Sequence, residues 1–323
     1  MQFNNKFVRA FNILRSLLPK QRRPTFVSWA LTNKCAHNCL YCHIPQKKIN
    51  ELSTKACLSL LSQLKEAGCK AISFTGGEPL LRSDLKTIFG KAKKLGIYTY
   101  LCSSGYPLPD DFSFLDYVDC LNVSIDGPVA VHDSIRQPGS FESATRMIDE
   151  ALNKKIKVEI LTVLSKRNLD SVDFLLDLSR KYKIKLYFQP ATLKVLGGDD
   201  INPIACEEKS YHQVIDRLIE YKRRGAFIGN SLAGLKVMSS WPKKKPIKCP
   251  TSKLFCYIQP DGSVKLCPRL DYSKGSVIGK DIIKILNDFS QPQCQECWCC
   301  QKVELAEILK VNPEAIINTL FSM

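Results

Sequence analysis

Cys35, Cys39 and Cys42 lie in the segment Leu31-Thr32-Asn33-Lys34-Cys35-Ala36-His37-Asn38-Cys39-Leu40-Tyr41-Cys42, with the spacing C-x3-C-x2-C. Thiolates are soft ligands that suit zinc and iron–sulfur centres. Three of them on one short loop can hold three irons of a cubane cluster and leave the fourth without a protein ligand. An open coordination position is where a metal reacts rather than scaffolds. The spacing by itself also admits a zinc site or three unconnected thiols. The apolar run at 26–31 reads as a strand, so the triplet sits at a strand's C-terminal end, where barrel folds carry their active sites.

A second motif, Phe74-Thr75-Gly76-Gly77-Glu78-Pro79, follows another short apolar run at 71–74. Paired glycines let a backbone come close to a ligand, and a glutamate accepts from an amine. A third stretch runs Leu121-Asn122-Val123-Ser124-Ile125-Asp126-Gly127, then His132-Asp133-Ser134-Ile135-Arg136. In this order the three motifs resemble the radical S-adenosylmethionine (SAM) enzymes, in the subfamily with an extra C-terminal cluster domain. The resemblance covers most of residues 25–300.

The resemblance implies that Cys35, Cys39 and Cys42 hold a catalytic [4Fe-4S] cluster. It also implies that Tyr41 lies by the adenine of SAM, and that the Gly76-Gly77-Glu78-Pro79 motif meets the methionyl amine. Ser124 and Arg136 then meet the ribose and carboxylate. Arginine suits a carboxylate because its fork donates twice, although Arg136 alone also fits a surface ion pair. Asp126 and Gly127 are read as shaping the strand end, and His132 as structural rather than as a proton acceptor.

A second cysteine group lies further on. Cys249, Cys256 and Cys267 bracket Pro260-Asp261-Gly262, which reads as a hairpin turn that brings Cys256 and Cys267 close. Cys294 and Cys297 form a C-x2-C, followed by Cys299 and Cys300. A hairpin plus a distant C-x2-C is how one metal centre pins two chain segments, with zinc or an iron–sulfur cluster equally allowed. The pattern Cys249-x12-Gly262-x4-Cys267 resembles the auxiliary-cluster signature of the SPASM and twitch subfamilies. The longer SPASM run is missing, which implies one auxiliary [4Fe-4S] cluster. Its expected ligands are Cys249, Cys267, Cys294 and Cys297, with Cys256, Cys299 or Cys300 as substitutes. In sulfatase-maturing relatives an acidic residue follows an auxiliary cysteine; here Pro268 and Arg269 follow Cys267, which speaks against formylglycine formation.

The elements that must position these groups alternate from residue 26. Strand-like runs lie at 26–31, 71–74, 97–101, 120–125, 158–163 and 184–188, with helical patterns between most of them. Thr54 is the expected cap of a helix ended by Gly68, Ser83 that of a helix ended by Gly96, and further helices are expected at 170–182 and 211–224. Six strand–helix units predict a parallel sheet with right-handed crossovers. The fold class is therefore α/β, a partial (β/α)6 TIM-type barrel with a small C-terminal cysteine-rich cluster domain. The expected division is 1–24, a basic amphipathic N-terminal helix; 25–240, the barrel; and 241–323, the cluster domain, entered through Trp241-Pro242-Lys243-Lys244-Lys245-Pro246.

The chain has 323 residues, enough for one large core and a small domain. Fifteen cysteines without a secretory signal point to metal ligands in a reducing cytoplasm. No stretch approaches the ~20 apolar residues of a membrane span. The net charge is 47 − 31 = +16, which favours acidic partners. No RNA-binding motif is present, so nucleic acid is not expected. Phe3, Phe7, Phe11, Leu14 and Leu18 form one face of the N-terminal helix, which fits packing on the barrel wall or an anionic membrane surface.

Together these readings predict an enzyme that cleaves SAM reductively to a 5′-deoxyadenosyl radical. It takes electrons from an external donor and acts on a bulky substrate, a peptide or protein side chain. The alternatives are a lipid or small polar metabolite, or a non-catalytic electron-transfer protein. The expected location is the cytoplasm, with the inner face of the membrane as the alternative that residues 3–18 would give.

Overall fold

The computed structural model describes residues 22–243, 247, 249, 251, 253–270, 272–290, 297–310 and 312–320. The expected N-terminal helix and Cys294 lie outside the described residues.

Six parallel strands form the frame: β1 (Phe26–Thr32), β2 (Ala71–Gly76), β3 (Tyr98–Ser103), β4 (Cys120–Ser124), β5 (Lys157–Leu164) and β6 (Lys185–Pro190). They pair in parallel and in sequence order. The helices of this part are α1 (Thr54–Glu66), α2 (Leu85–Lys94), α3 (Val129–Ile135), α4 (Ser140–Asn153), α5 (Val172–Tyr182), α6 (Glu208–Arg223) and α7 (Leu232–Met238). Two expected caps move by one residue. Ser53, not Thr54, caps α1 by accepting from Ala56 N–H, and Asp84, not Ser83, precedes α2. The Asp84 carboxylate is held by Arg82 and Thr54, so it is not free to cap.

The C-terminal segment contributes β7 (Phe255–Ile258), β8 (Val264–Lys265), α8 (Ile282–Asn287), α9 (Cys300–Leu309) and α10 (Pro313–Leu320). β7 and β8 form the expected hairpin, with Gly262 in the left-handed region at φ 83°. The hairpin joins the barrel's own sheet. β7 pairs in parallel with β1, from Phe26 opposite Phe255 to Trp29 opposite Ile258. The sheet is thus eight-stranded, in the order β6-β5-β4-β3-β2-β1-β7-β8, and β1 has no open edge.

Alternation along the strands separates two faces. Ile72, Phe74, Leu101, Leu121, Val123, Ile160, Leu186 and Phe188 point outward into the main core, with Leu61, Leu64, Ile88, Ile148 and Leu175 of the flanking helices. The opposite, inner face carries Ser73, Cys102, Asn122, Glu159 and Tyr187. α9 packs on this inner face. Cys300 and Val303 meet Leu161 and Tyr187, and Ile308 meets Phe26. α9 buries Lys302, Glu304 and Glu307 along with its apolar residues, so it has no solvent face of the usual amphipathic kind. No helix of the described residues is long and apolar enough to cross a membrane.

Candidate active site

The loop after β1 is anchored from several sides. Gly77 N–H donates to Thr32 O at 2.7 Å, and Glu78 N–H donates to Lys34 O at 2.8 Å. A Cβ on Gly76 would stand 2.1 Å from Thr32 O, and one on Gly77 would stand 2.1 Å from Lys34 O. Both glycines are therefore demanded by a close backbone approach, and what approaches is the cysteine loop itself. Arg82, which sequence reading passed over, donates to Leu31 O and Leu52 O and pairs with Asp84 at 2.7 Å. Thr32 Oγ1 donates to Glu51 at 2.6 Å and accepts from Lys34 N–H at 2.9 Å. On the far side, Leu196 N–H donates to Tyr41 O and His43 N–H donates to Leu196 O, each at 2.8 Å.

These anchors place Cys35, Cys39 and Cys42 in mutual electrostatic reach. Burial pushes the Cys35 thiol up to about 12 and the Cys39 thiol up to about 11, and Cys42 also moves up. Three such thiols stay protonated at neutral pH unless a metal takes the proton's place. Among the described residues, no three His, Cys, Asp or Glu side chains converge tightly enough for a single metal ion. A lone tetrahedral zinc needs thiolates about 3.8 Å apart, given Zn–S bonds of about 2.3 Å. A cluster spreads its thiolates over separate irons, and three Cys side chains of one loop in mutual electrostatic reach would fit that donor set.

Beside the triplet lies a buried charge pair. Arg136 Nε donates to Asp126 Oδ2 at 2.7 Å, with the Asp126 side chain fully buried. The guanidinium lies 5.7 Å from the centre of the Tyr41 ring. It also lowers the thiol pKa of Cys39 and Cys42 against the larger effect of burial. Asp126 Oδ1 accepts from Val163 N–H, and Asp126 N–H donates to His132 Nδ1 at 3.0 Å. His132 is therefore the Nε2–H tautomer, and its buried Nε2 has no hydrogen-bond partner among the described residues. Burial, then the Arg136 charge, lowers His132 to about 4, so it is neutral and structural at pH 7.

Glu78 is nearly inaccessible. Its carboxylate accepts from Ser103 Oγ, Leu80 N–H, Ser104 N–H and Ser104 Oγ at 2.6–3.2 Å. These four bonds use the four lone-pair positions of a carboxylate, so Glu78 ties β2 to the end of β3. Burial raises its pKa against those bonds. Pro79 is buried at the start of the turn that follows, and Ser124 ends β4, half-buried, beside Asp126.

The second cysteine group divides by face. Cys267 meets Lys302 Nζ at 3.2 Å, and Cys297 and Cys299 are in electrostatic reach of the same ammonium. Cys249 Sγ lies 3.0 Å from Thr251 Oγ1. Cys256 is elsewhere. It is fully buried in the outer core, in electrostatic reach of Cys69, because on β7 it alternates with Tyr257. Cys300 turns into an apolar cluster with Val237, Met238 and Val303. Tyr257 points inward, in reach of Cys267 and Lys302 on one side and Cys42 on the other, and burial pushes its phenol up to about 12. Both cysteine groups thus border the inner face of one sheet.

Residues 29–178 match the model of the Radical SAM superfamily. The chain is similar to Fe-coproporphyrin III synthase of Methanosarcina barkeri, 28% identical over 64% of this chain and 53% of that protein. It is similar to mycofactocin maturase of Mycolicibacterium smegmatis, 26% identical over 76% of this chain and 64% of that protein. The chain thus spans between half and two thirds of these curated relatives. Its fold is that of Streptococcus suis SuiB bound to S-adenosylmethionine, with a TM-score of 0.67 at 16% identity, covering 83% of this chain and 66% of that one.

Proposed function

We propose that this chain, which carries a radical SAM domain at residues 29–178, is an enzyme that uses SAM and a [4Fe-4S] cluster to remove hydrogen from a bulky substrate. The observation that carries this reading is the loop of Cys35, Cys39 and Cys42 held against the buried Arg136–Asp126 pair. When bound, the reduced cluster and SAM together supply a 5′-deoxyadenosyl radical.

The chain's own residues bind, orient and exclude water. Cys35, Cys39 and Cys42 hold the cluster, and Gly76 and Gly77 set the height of their loop. Arg136 keeps a fixed positive charge beside Cys39 and Cys42, which suits a carboxylate, and Tyr41 offers a flat ring under that charge. Glu78 acts as a positioning residue, since its oxygens are already engaged. Cys249, Cys267, Cys294 and Cys297 hold one auxiliary cluster, with Cys299 the remaining candidate.

The substrate is a peptide or protein side chain. Support comes from the relative named a maturase, which aligns over 76% of this chain against 64% for the relative named a porphyrin synthase. That second name favours the other reading, a large substrate that is not a peptide. Incubation of the reconstituted, dithionite-reduced protein with SAM tests the activity. 5′-Deoxyadenosine is expected from the native chain and none from a Cys35→Ala, Cys39→Ala, Cys42→Ala variant. A pure electron carrier would form none in either case.

A further inference from the structure

Lys302 is a buried cation that faces no carboxylate among the described residues. It is 7% exposed, and its Nζ sits 3.2 Å from Cys267 Sγ. The ammonium also lies 4.7 Å from the centre of the Phe255 ring. Among the described residues no Asp or Glu pairs with it; the groups that act on its charge are Cys267, Cys299 and Cys297. A buried ammonium is costly unless an anion faces it. The anions available here are the sulfurs of the second cysteine group. Lys302 also cannot turn to solvent easily, because α9 places it on the inner face of the sheet.

We infer that Lys302 is a positioning residue for the auxiliary centre, where its fixed positive charge at Cys267 raises the reduction potential. This rests on the reading that Cys267 and Cys297 hold an auxiliary cluster. Hydrogen bonds to cluster sulfurs and local net charge both set the potential of such centres. A one-electron reduction adds one negative charge to the cluster. A cation at hydrogen-bond distance from a ligand sulfur stabilises the reduced form more than the oxidised one. With Lys302 in place the cluster accepts an electron more readily, and without it the potential falls.

The test uses the full chain with Cys35, Cys39 and Cys42 all replaced by Ala, so that only the auxiliary cluster contributes to the spectrum. The midpoint is measured by anaerobic titration with dithionite, followed by electron paramagnetic resonance. Lys302→Met keeps an apolar stem over Phe255 and removes the charge. It is expected to lower the midpoint by 59 mV or more, a tenfold shift in a one-electron equilibrium. Lys302→Arg keeps the charge and should keep the midpoint near that of the parent. Loss of the cluster in Lys302→Met with retention in Lys302→Arg would overturn the redox role and assign the charge to holding the cluster. An unchanged midpoint in Lys302→Met overturns the inference, as does loss of the cluster in both variants, which would assign Lys302 to packing. If the parent triple variant binds no iron, the auxiliary-cluster reading itself fails.

Discussion

Asp126 binds Arg136 at 2.7 Å with both side chains withdrawn from solvent. The pair links the end of β4 to the end of α3 and sets one charged group beside the cysteine loop. Removing Asp126 leaves Arg136 buried without its anion, a loss of about 3–5 kcal/mol for pairs of this kind. Asp126→Ala is expected to unfold at clearly lower denaturant concentration than the native chain. Asp126→Asn, which can still accept from Val163 N–H, should lose less. Urea unfolding of the two variants checks the order.

Gly77→Ala would drive a methyl group into Lys34 O, a backbone atom that cannot swing aside. The loop must shift while the sheet remains. The expected result is a folded protein that retains about four irons per chain instead of about eight, since each cubane carries four. Iron analysis alongside circular dichroism separates this from general misfolding.

Cys256 and Cys267 should respond in opposite ways. Cys267→Ala is expected to lose the auxiliary iron with little change in the barrel. Cys256→Ala should keep the iron and lose about 1 kcal/mol, because it opens a small gap in the outer core. Iron content and thermal unfolding, measured on both variants, test the assignment of faces.

Glu304 gives the stability a pH dependence. One oxygen accepts from Ser231 N–H, and the other is buried without a partner among the described residues. Burial raises its pKa to about 7. The unfolded chain gives up this proton near pH 4.3, so between that value and about 7 the folded chain binds more protons than the unfolded one. Stability therefore falls as pH rises through this window, by an amount on the order of 3 kcal/mol. Glu304→Gln should flatten the fall and raise stability at pH 8. Unfolding curves at pH 5, 6, 7 and 8 provide the comparison.

Short apolar and β-branched runs made the six barrel strands legible, and the turn at Pro260-Asp261-Gly262 made the hairpin legible. The spacing of Cys35, Cys39 and Cys42 marked the loop because all three cysteines lie within eight residues of chain. Arg82 and Glu51 were not legible, since their work is done on backbone atoms and side chains far away in sequence. Cys256 is set apart from Cys267 by the face of β7 that it occupies, which the pairing of β7 with β1 decides, while Cys267 follows β8 outside any strand. α9 gave no sign of its placement. Lys302, Glu304 and Glu307 read as surface residues, and nothing in their order tells of a helix enclosed by a sheet.

The pairing of Phe26 with Phe255 has a consequence for how the chain is made. Synthesis runs from the amino end, so β1 emerges long before its neighbour β7 exists. Until residue 258 has left the ribosome, one side of β1 has nothing to bond to, and the inner face waits longer still for α9. Contacts this distant in sequence form slowly. The half-made protein exposes a sticky strand edge next to the loop of three thiols, and on the proposed function this makes the order of folding and metal delivery a matter of timing for the cell.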